Sequence, residues 1–180
     1  MLLKKLIKNS SSNTKNLKIR DLALDSRKVK KGDLFFALKG SKLNGNSFIN
    51  QAIERGAIAI ICSKETSIRN KKKNITIIKV KNPRESLTYA CSKFFKKKPK
   101  NIIAVTGTNG KSSVADFFYQ ILSKNGLPVA SIGTLGVRKK KKIKKTSLTS
   151  LDIISIHREL FDLKKSGVDN VIIEASSHGL

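Results

Sequence analysis

Hydrophobic and polar residues follow one another along this chain in short blocks that predict alternating strands and helices. Apolar runs bounded by glycine or charged residues predict strands over residues 34–38, 57–61, 75–80, 102–105, 128–133 and 170–174. Apolar residues at helical spacing predict helices over 47–55 and 85–95, a third from Lys111, and a fourth that Ser150 caps and Gly167 ends. Strands that alternate with helices indicate an α/β fold with parallel sheets.

A basic segment that ends in a proline, residues 96–99, is the best candidate for a domain boundary. Exposed segments rich in polar residues and proline commonly link domains. We therefore predict a small α/β domain over residues 1–97 and a second, parallel-sheet domain over residues 98–180. Asn82-Pro83-Arg84 is interpreted as a turn at the end of a strand.

The formal net charge of +26 first suggests nucleic acid as a partner. Only seven of the 38 basic residues are arginine, the side chain on which phosphate and base recognition usually relies. The lysine runs at 71–73, 96–98 and 139–142 lack interleaved aromatic residues, so we interpret them mainly as solvated surface. A basic nucleic-acid-binding domain remains the non-enzymatic alternative.

Two further features of the composition concern membranes and redox state. No apolar run reaches 18 residues, so no membrane-spanning helix is expected. Cys62 and Cys91 lie in apolar surroundings, and we expect both to be buried and reduced, as in a cytoplasmic protein.

The strongest chemical signal is the stretch 101–113, where an apolar run meets a glycine-rich turn and then Lys-Ser at a predicted helix start. This order is typical of a phosphate-binding loop, because glycines let the backbone approach the phosphates and the helix start presents free N–H groups. Val105 stands where the general pattern has its first glycine. The predicted nucleotide-contacting residues are Gly107, Thr108, Asn109, Gly110, Lys111, Ser112 and Ser113.

A further chemical signal follows downstream, where the apolar run 171–173 ends at Glu174. The carboxyl ends of parallel strands face the ligand crevice of an open sheet. We therefore predict that Glu174 and the Ser112 hydroxyl bind Mg²⁺, with Lys111 reaching the β- and γ-phosphates. A strand-end glutamate that only faces solvent is the alternative.

Several of these stretches resemble the Mur ligases, which join an amino acid to a carboxylate through an acyl phosphate. Residues 106–112, Thr-Gly-Thr-Asn-Gly-Lys-Ser, are similar to the ATP loop of Mur ligases and folylpolyglutamate synthases. Asp25-Ser26-Arg27 followed by Gly32-Asp33-Leu34-Phe35 resembles the N-terminal, UDP-binding domain of the Mur ligases, which folate-type enzymes lack. The resemblance implies a UDP-binding α/β domain followed by the first half of a parallel-sheet ATPase domain.

The resemblance also implies cofactors and site residues. ATP and Mg²⁺ would be the cofactors, and Lys111 would be catalytic. Leu24 and Ser26 would line a uridine site, and Ser41, Lys42 and Leu43 would form a loop that contacts the nucleotide sugar. Thr149 and Ser150 stand where the family commonly has paired threonines that bind the muramoyl-peptide, although a capping role also explains Ser150.

The final residues, 174–180, resemble the Mur ligases that add the third amino acid, diaminopimelate or lysine, to UDP-MurNAc-L-Ala-D-Glu. Ser176 would contact that substrate, and His178 stays open between a structural and a functional role. The ligase that adds D-Ala-D-Ala lacks this string, but it and other acyl-phosphate ligases remain alternatives. Because the family's amino-acid-binding domain would follow Leu180, the chain is interpreted as an N-terminal fragment that is inactive alone.

Overall fold

The structure, a computed structural model, describes residues 1–8, 16–40, 43–68, 75–134, 136–140, 142–144 and 152–175. The chain divides into two compact units, Met1–Phe94 and Phe95–Leu180. Both are built from strands and helices around parallel strand pairs, which confirms the predicted α/β class. None of the helices in the described ranges is long and apolar enough to span a bilayer.

The first unit contains a four-stranded parallel sheet in the order β1-β2-β3-β4. The strands are β1 (Leu22–Ala23), β2 (Leu34–Phe36), β3 (Ala59–Ser63) and β4 (Thr76–Val80), and the helices are α1 (Ile49–Glu54) and α2 (Pro83–Phe94). Short 3-10 helices span Leu3–Lys5, Ser26–Lys28 and Gly45–Phe48. The predicted helix over 47–55 is therefore shorter, with a 3-10 turn in front of it.

Packing of α1 against the sheet forms one part of the core of this unit. Ile49, Ala52 and Ile53 lie on one face of α1 and are buried against apolar residues of the strands. An ion pair stabilises the Gly32-Asp33 turn before β2: Arg20 Nε and Nη2 each donate a hydrogen bond to the Asp33 carboxylate at 3.0 Å. Because Asp33 is only 2% exposed, this fork compensates a buried carboxylate.

The second unit contains a five-stranded sheet in the order β5-β9-β6-β7-β8. Its strands are β5 (Asn101–Val105), β6 (Val129–Gly133), β7 (Gly136–Lys139), β8 (Lys142–Lys144) and β9 (Asn170–Glu174), and its helices are α3 (Lys111–Lys124) and α4 (Ile153–Lys165). β9 pairs in parallel with β5 on one side and β6 on the other, whereas β7 and β8 continue as an antiparallel hairpin. The last strand in sequence is therefore the central parallel strand.

The apolar run at 102–105 suggests a buried strand, but the strand lies at the edge of the sheet and is partly exposed. β5 is an edge strand, and Ile102 and Ile103 are about 40% exposed. Val114, Phe117 and Ile121 on α3 are exposed as well, at 50 to 63%. The apolar pattern correctly marked a strand and a helix, but among the described residues no neighbour covers this side of the sheet.

The N-cap predicted for the last helix was also wrong. Asp152, rather than Ser150, caps α4: its Oδ1 accepts hydrogen bonds from the backbone N–H groups of Ile154 and Ser155 at 2.9 and 3.0 Å. Asp is as good an N-cap as Ser, and here it stands directly before the first helical residue. Gly167 does follow the end of α4 as predicted, with a φ of +82° that favours glycine.

Candidate functional site

The glycine-rich loop after β5 has the geometry of a phosphate-binding turn. Gly107 and Gly110 adopt φ values of +148° and +79°, which other residues rarely take. α3 begins immediately afterwards at Lys111, so the N–H groups of its first turn face the loop. Residues 106–110 are exposed, and the loop therefore presents its backbone to solvent at the end of the sheet.

Lys111 folds its side chain back over this loop. Its Nζ donates to the Gly107 carbonyl at 2.6 Å and to the Thr108 carbonyl at 3.2 Å. The ammonium group thus lies above the backbone cradle formed by the loop. A cation at this position supplies positive charge to any anion that the loop N–H groups bind.

Ser112 and Glu174, the two predicted Mg²⁺ ligands, are brought together although 61 residues separate them in sequence. The Ser112 hydroxyl donates to Glu174 Oε2 at 2.9 Å. The cause is the sheet order: β5 and β9 are neighbours, and Glu174 is the register partner of Val105, next to the start of the loop. In this way the fold places the Glu174 carboxylate at the end of β9, beside the start of the loop.

The Ser112–Glu174 pair has the chemistry that Mg²⁺ needs. Within the described ranges there is no cluster of three or more His, Cys, Asp or Glu side chains that could hold a metal. Mg²⁺ in nucleotide sites usually takes one or two protein oxygens and completes its shell with phosphate oxygens and water. One hydroxyl and one carboxylate, 2.9 Å apart and beside the loop, fit this requirement.

Gly133, at the end of β6, is a residue of this site that sequence reasoning missed. A Cβ atom at Gly133 would lie 2.1 Å from Glu174 Oε1 and 2.5 Å from Glu174 Cδ. The Glu174 side chain therefore occupies the space that any larger residue at position 133 would need. A glycine at a strand end was the available signal, since glycine in a strand often marks a close approach of another group.

Asp116 and Arg138 also line the small cleft beside Ser112 and Glu174, about 70 Å³ in volume. Arg138 forms an ion pair with Asp116 and places its guanidinium carbon 4.2 Å from the centre of the Tyr119 ring. Gln120 Nε2 donates to the second Asp116 oxygen. These contacts join α3 to β7 next to the predicted metal ligands. No sequence motif had indicated that these residues lie at the site.

The first unit holds a larger cleft, about 500 Å³, that contains three of the predicted substrate residues: Leu24, Ser26 and Leu43. Ser26 is buried, and its hydroxyl donates to Gln51 Oε1 on α1 at 2.5 Å. Leu43 is 67% exposed at the cleft rim. The cleft lies beyond the carboxyl ends of β1 and β2, where parallel sheets commonly bind ligands.

Asp25 forms a local turn with Arg27 at the edge of this cleft. Its Oδ1 accepts from the Arg27 backbone N–H at 3.0 Å, and its carboxylate is paired with the Arg27 guanidinium. This hydrogen-bonded guanidinium holds the pKa of Asp25 below its usual range. Six predicted residues lie outside the described ranges: Ser41, Lys42, Thr149, Ser150, Ser176 and His178.

A parallel sheet with a glycine loop, Lys-Ser at the following helix start and an acid on the adjacent strand defines an α/β protein of the phosphate-loop class. Two family models match the chain: the Mur ligase family catalytic domain over residues 18–95 and the Mur ligase middle domain over residues 105–180. The chain belongs to the Mur ligase family.

Curated relatives refine this placement. The chain is 44% identical over 164 residues to the UDP-N-acetylmuramoyl-L-alanyl-D-glutamate--2,6-diaminopimelate ligase of Bradyrhizobium diazoefficiens, and 43% identical over 164 residues to the ligase of that name from Brucella melitensis. Each match covers 91% of this chain and 33% of the relative. The chain thus spans about a third of the length of these relatives.

Solved structures agree with the fold. A structure of a UDP-N-acetylmuramoyl-L-alanyl-D-glutamate--2,6-diaminopimelate ligase matches 99% of this chain and 36% of its own, with a TM-score of 0.81 and 27% identity. The MurF ligase from Thermotoga maritima in complex with ADP matches 91% of this chain and 33% of its own, with a TM-score of 0.57 and 21% identity. The second similarity concerns the fold alone.

Proposed function

We propose that this chain forms the nucleotide-substrate and ATP-binding parts of a ligase that adds the third amino acid to UDP-MurNAc-L-Ala-D-Glu in peptidoglycan synthesis. The observation that carries the proposal is the 2.9 Å contact between Ser112 and Glu174 beside the glycine loop. The names of the curated relatives support the substrate assignment and favour diaminopimelate over lysine as the added amino acid. We also propose a cytoplasmic location, because Cys62 and Cys91 are free and buried, as is usual for proteins of a reducing compartment.

The proposed chemistry is phosphoryl transfer followed by acyl transfer. The D-Glu carboxylate of the substrate attacks the γ-phosphate of ATP, which yields an acyl phosphate and ADP. The amine of the incoming amino acid then displaces phosphate and forms the peptide bond. No side-chain nucleophile is needed, and the protein contributes positioning and electrostatic stabilisation.

The predicted ATP- and metal-binding residues of the second unit have the following roles in this scheme. The N–H groups of residues 107–113 hold the phosphates, and Lys111 offsets the charge on the transferred phosphoryl group. Ser112 and Glu174 hold Mg²⁺, which supplies further charge neutralisation when bound. In the first unit, Leu24 and Ser26 bind the uridine part, while Leu43, Ser41 and Lys42 contact the nucleotide sugar.

Two alternatives receive less support. The ligase that adds D-Ala-D-Ala shares the fold, but structures of that class align with TM-scores of 0.57 to 0.59, against 0.81 for the diaminopimelate ligase. The non-enzymatic alternative, nucleic-acid binding, has only the net charge of +26 in its favour.

Nucleotide binding by the 180-residue chain tests both the proposed phosphate loop and, through the effect of Mg²⁺, the Ser112–Glu174 pair. We expect calorimetry to detect ATP binding that Mg²⁺ strengthens. Lys111→Ala should weaken it at least about tenfold, since a charge-assisted contact to phosphate is lost. Lys124→Ala, at the other end of α3, is the matched control and should bind as the wild type. Equal binding by the Lys111 and Lys124 variants would contradict the assignment of the loop.

Ligation requires the remaining two thirds that the relatives possess. A chimera that joins residues 1–180 to the corresponding remainder of the Bradyrhizobium diazoefficiens ligase should release phosphate when UDP-MurNAc-L-Ala-D-Glu and diaminopimelate are both present. The Lys111→Ala chimera should be inactive yet still bind the UDP substrate. A chimera that folds, binds ATP and shows no diaminopimelate-dependent phosphate release would refute the proposed reaction. The 180-residue chain alone should not ligate.

A further inference from the structure

Arg84 is a cleft residue to which the sequence motifs gave no role. It lies in the first turn of α2 and lines the 500 Å³ cleft together with Leu24 and Ser26. It also lines a second cleft of about 360 Å³ beyond the ends of β3 and β4. The two clefts share Leu38 and Arg84, so a ligand that extends out of the first cleft toward the second passes the Arg84 side chain.

The surroundings of Arg84 fix its backbone and aim its side chain at the cleft wall. The Asn82 side chain accepts hydrogen bonds from the backbone N–H groups of Arg84 and Glu85 at 3.1 and 3.2 Å. The guanidinium Nη2 donates to the Lys39 carbonyl at 3.2 Å. Asn82-Pro83-Arg84 is therefore a helix start that places a guanidinium, with its five N–H donors, against the loop that borders the first cleft.

Charge in the first cleft is not balanced. Among the described residues that line it, Asp25 is the one carboxylate, and Arg27 already binds that carboxylate through two guanidinium nitrogens at 3.0 and 2.9 Å. Among the residues that the structure describes, no carboxylate lies within ion-pair distance of Arg84. The cleft therefore carries a positive charge at Arg84, and an anionic group of a ligand would compensate it.

We propose that Arg84 binds the phosphate groups of the uridine nucleotide and is the residue by which this cleft distinguishes a uridine phosphate from uridine. The proposal rests on the uridine site assigned above. A guanidinium matches the oxygen pairs of a phosphate in geometry, and a phosphate bound there would remain next to a nucleoside held by Leu24 and Ser26. Arg84 is a specificity residue in this scheme and takes no part in the chemical step.

Arg55 provides a matched control. Its guanidinium Nη1 donates to a backbone carbonyl, that of Arg27, at 3.1 Å, as Arg84 does to Lys39. Arg55 belongs to the same unit and is exposed like Arg84, but it does not line the cleft. Arg55→Gln thus removes one charge and one backbone contact near the cleft without removing the proposed phosphate ligand.

The experiment is calorimetry of the 180-residue chain with uridine, UMP and UDP. We expect Arg84→Gln to weaken UDP binding about tenfold or more, the usual effect of losing a charge-assisted hydrogen bond, and to leave uridine binding within about twofold. Arg84→Lys should restore part of the UDP affinity, because it keeps the charge and loses the fork. Arg55→Gln should match the wild type for all three ligands, and circular dichroism should show every variant folded.

Each other outcome has a distinct meaning. Equal loss of uridine and UDP affinity in Arg84→Gln would show that Arg84 only orders the loop at Lys39, and would overturn the proposal. UDP binding unchanged in Arg84→Gln would overturn it while leaving the uridine site intact. A wild-type chain that binds neither uridine nor UDP would overturn the uridine site and the phosphate role together. If Arg55→Gln lost as much UDP affinity as Arg84→Gln, the effect would come from the overall positive charge of the unit, and the proposal would be refuted.

Discussion

Gly133→Ala is the sharpest test of the proposed metal site, because it alters Glu174 without changing any predicted ligand. The new Cβ would lie 2.1 Å from Glu174 Oε1 and 3.0 Å from Glu174 Cγ. The backbone of Glu174 cannot retreat easily, since β9 is paired with strands on both sides. The side chain must therefore rotate away, and the contact with Ser112 is lost.

The expected effect on stability is small. Losing a partly exposed hydrogen bond costs about 0.5–1.5 kcal/mol. Replacing glycine by alanine within a strand offsets about 0.5–1 kcal/mol of this loss, because alanine has less conformational freedom to lose on folding. Gly133 has no positive φ, so the backbone itself accepts alanine. The free energy of unfolding should change by less than about 1 kcal/mol.

The expected effect on metal-dependent binding is large. Displacing a group that positions a metal site typically costs about 10- to 100-fold in affinity. Calorimetry with ATP, with and without Mg²⁺, should show that the gain from Mg²⁺ in the wild type nearly disappears in Gly133→Ala. ATP binding without Mg²⁺ should stay close to that of the wild type, because the loop and Lys111 are unchanged.

Two further variants make the test specific. In a Glu174→Ala background the Gly133→Ala change should have no additional effect, since the colliding side chain is gone. Gly167→Ala, at the end of α4, replaces a glycine with a φ of +82° and open space around its Cβ position. It should lower stability and keep the Mg²⁺ effect. The reasoning fails if Gly133→Ala retains the full Mg²⁺ effect, or weakens ATP binding further once Glu174 is absent.

Four other predictions concern stability, its pH dependence, self-association and nucleic-acid binding. Arg20→Ala should lower the free energy of unfolding by about 2–3 kcal/mol, because it leaves the buried Asp33 carboxylate without its guanidinium partner; the half-exposure of Arg20 keeps the loss in this range. Urea unfolding followed by circular dichroism measures the loss. A loss no greater than that of the exposed Arg27→Ala would contradict the prediction. Burial, with a contribution from Lys98, lowers the pKa of His157 from its ordinary value of 6.5, so the folded state resists protonation and stability should decline as the pH falls below about 6.5. His157→Gln should remove this part of the decline when urea unfolding is measured between pH 7 and 5. Identical pH profiles of the wild type and His157→Gln would disprove the prediction. Phe117→Ser should reduce light scattering of concentrated protein and change stability by less than about 0.5 kcal/mol, because the ring is 63% exposed; unaltered scattering would show that the exposed face of β5 and α3 does not drive association. DNA binding should be weak and largely lost near physiological salt, since the lysine runs lack aromatic partners; tight, sequence-selective binding in a filter assay at that salt would contradict the interpretation of the surface.

Local sequence patterns predicted the elements that depend on local physics. The glycine turn before Lys111 marked the phosphate loop, because only glycine accepts the φ values observed at positions 107 and 110. The apolar runs located most strands within one or two residues. The N-cap of α4 was misplaced by two residues, because Ser and Asp satisfy free N–H groups equally well and only backbone geometry selects between them.

What the sequence determined by itself was therefore the α/β class, the loop and the identity of the chemical groups, since each follows from residues that are close together in the chain. Which distant residues meet depends instead on the tertiary structure. Insertion of β9 between β5 and β6 puts Glu174 beside Ser112 and against Gly133, and the edge position of β5 leaves Ile102 and Ile103 exposed. In the first unit it is likewise the fold, and not residue spacing, that brings Arg84 to the cleft lined by Ser26. Strand order depends on long-range pairing and packing, which the spacing of residues along a single chain does not specify.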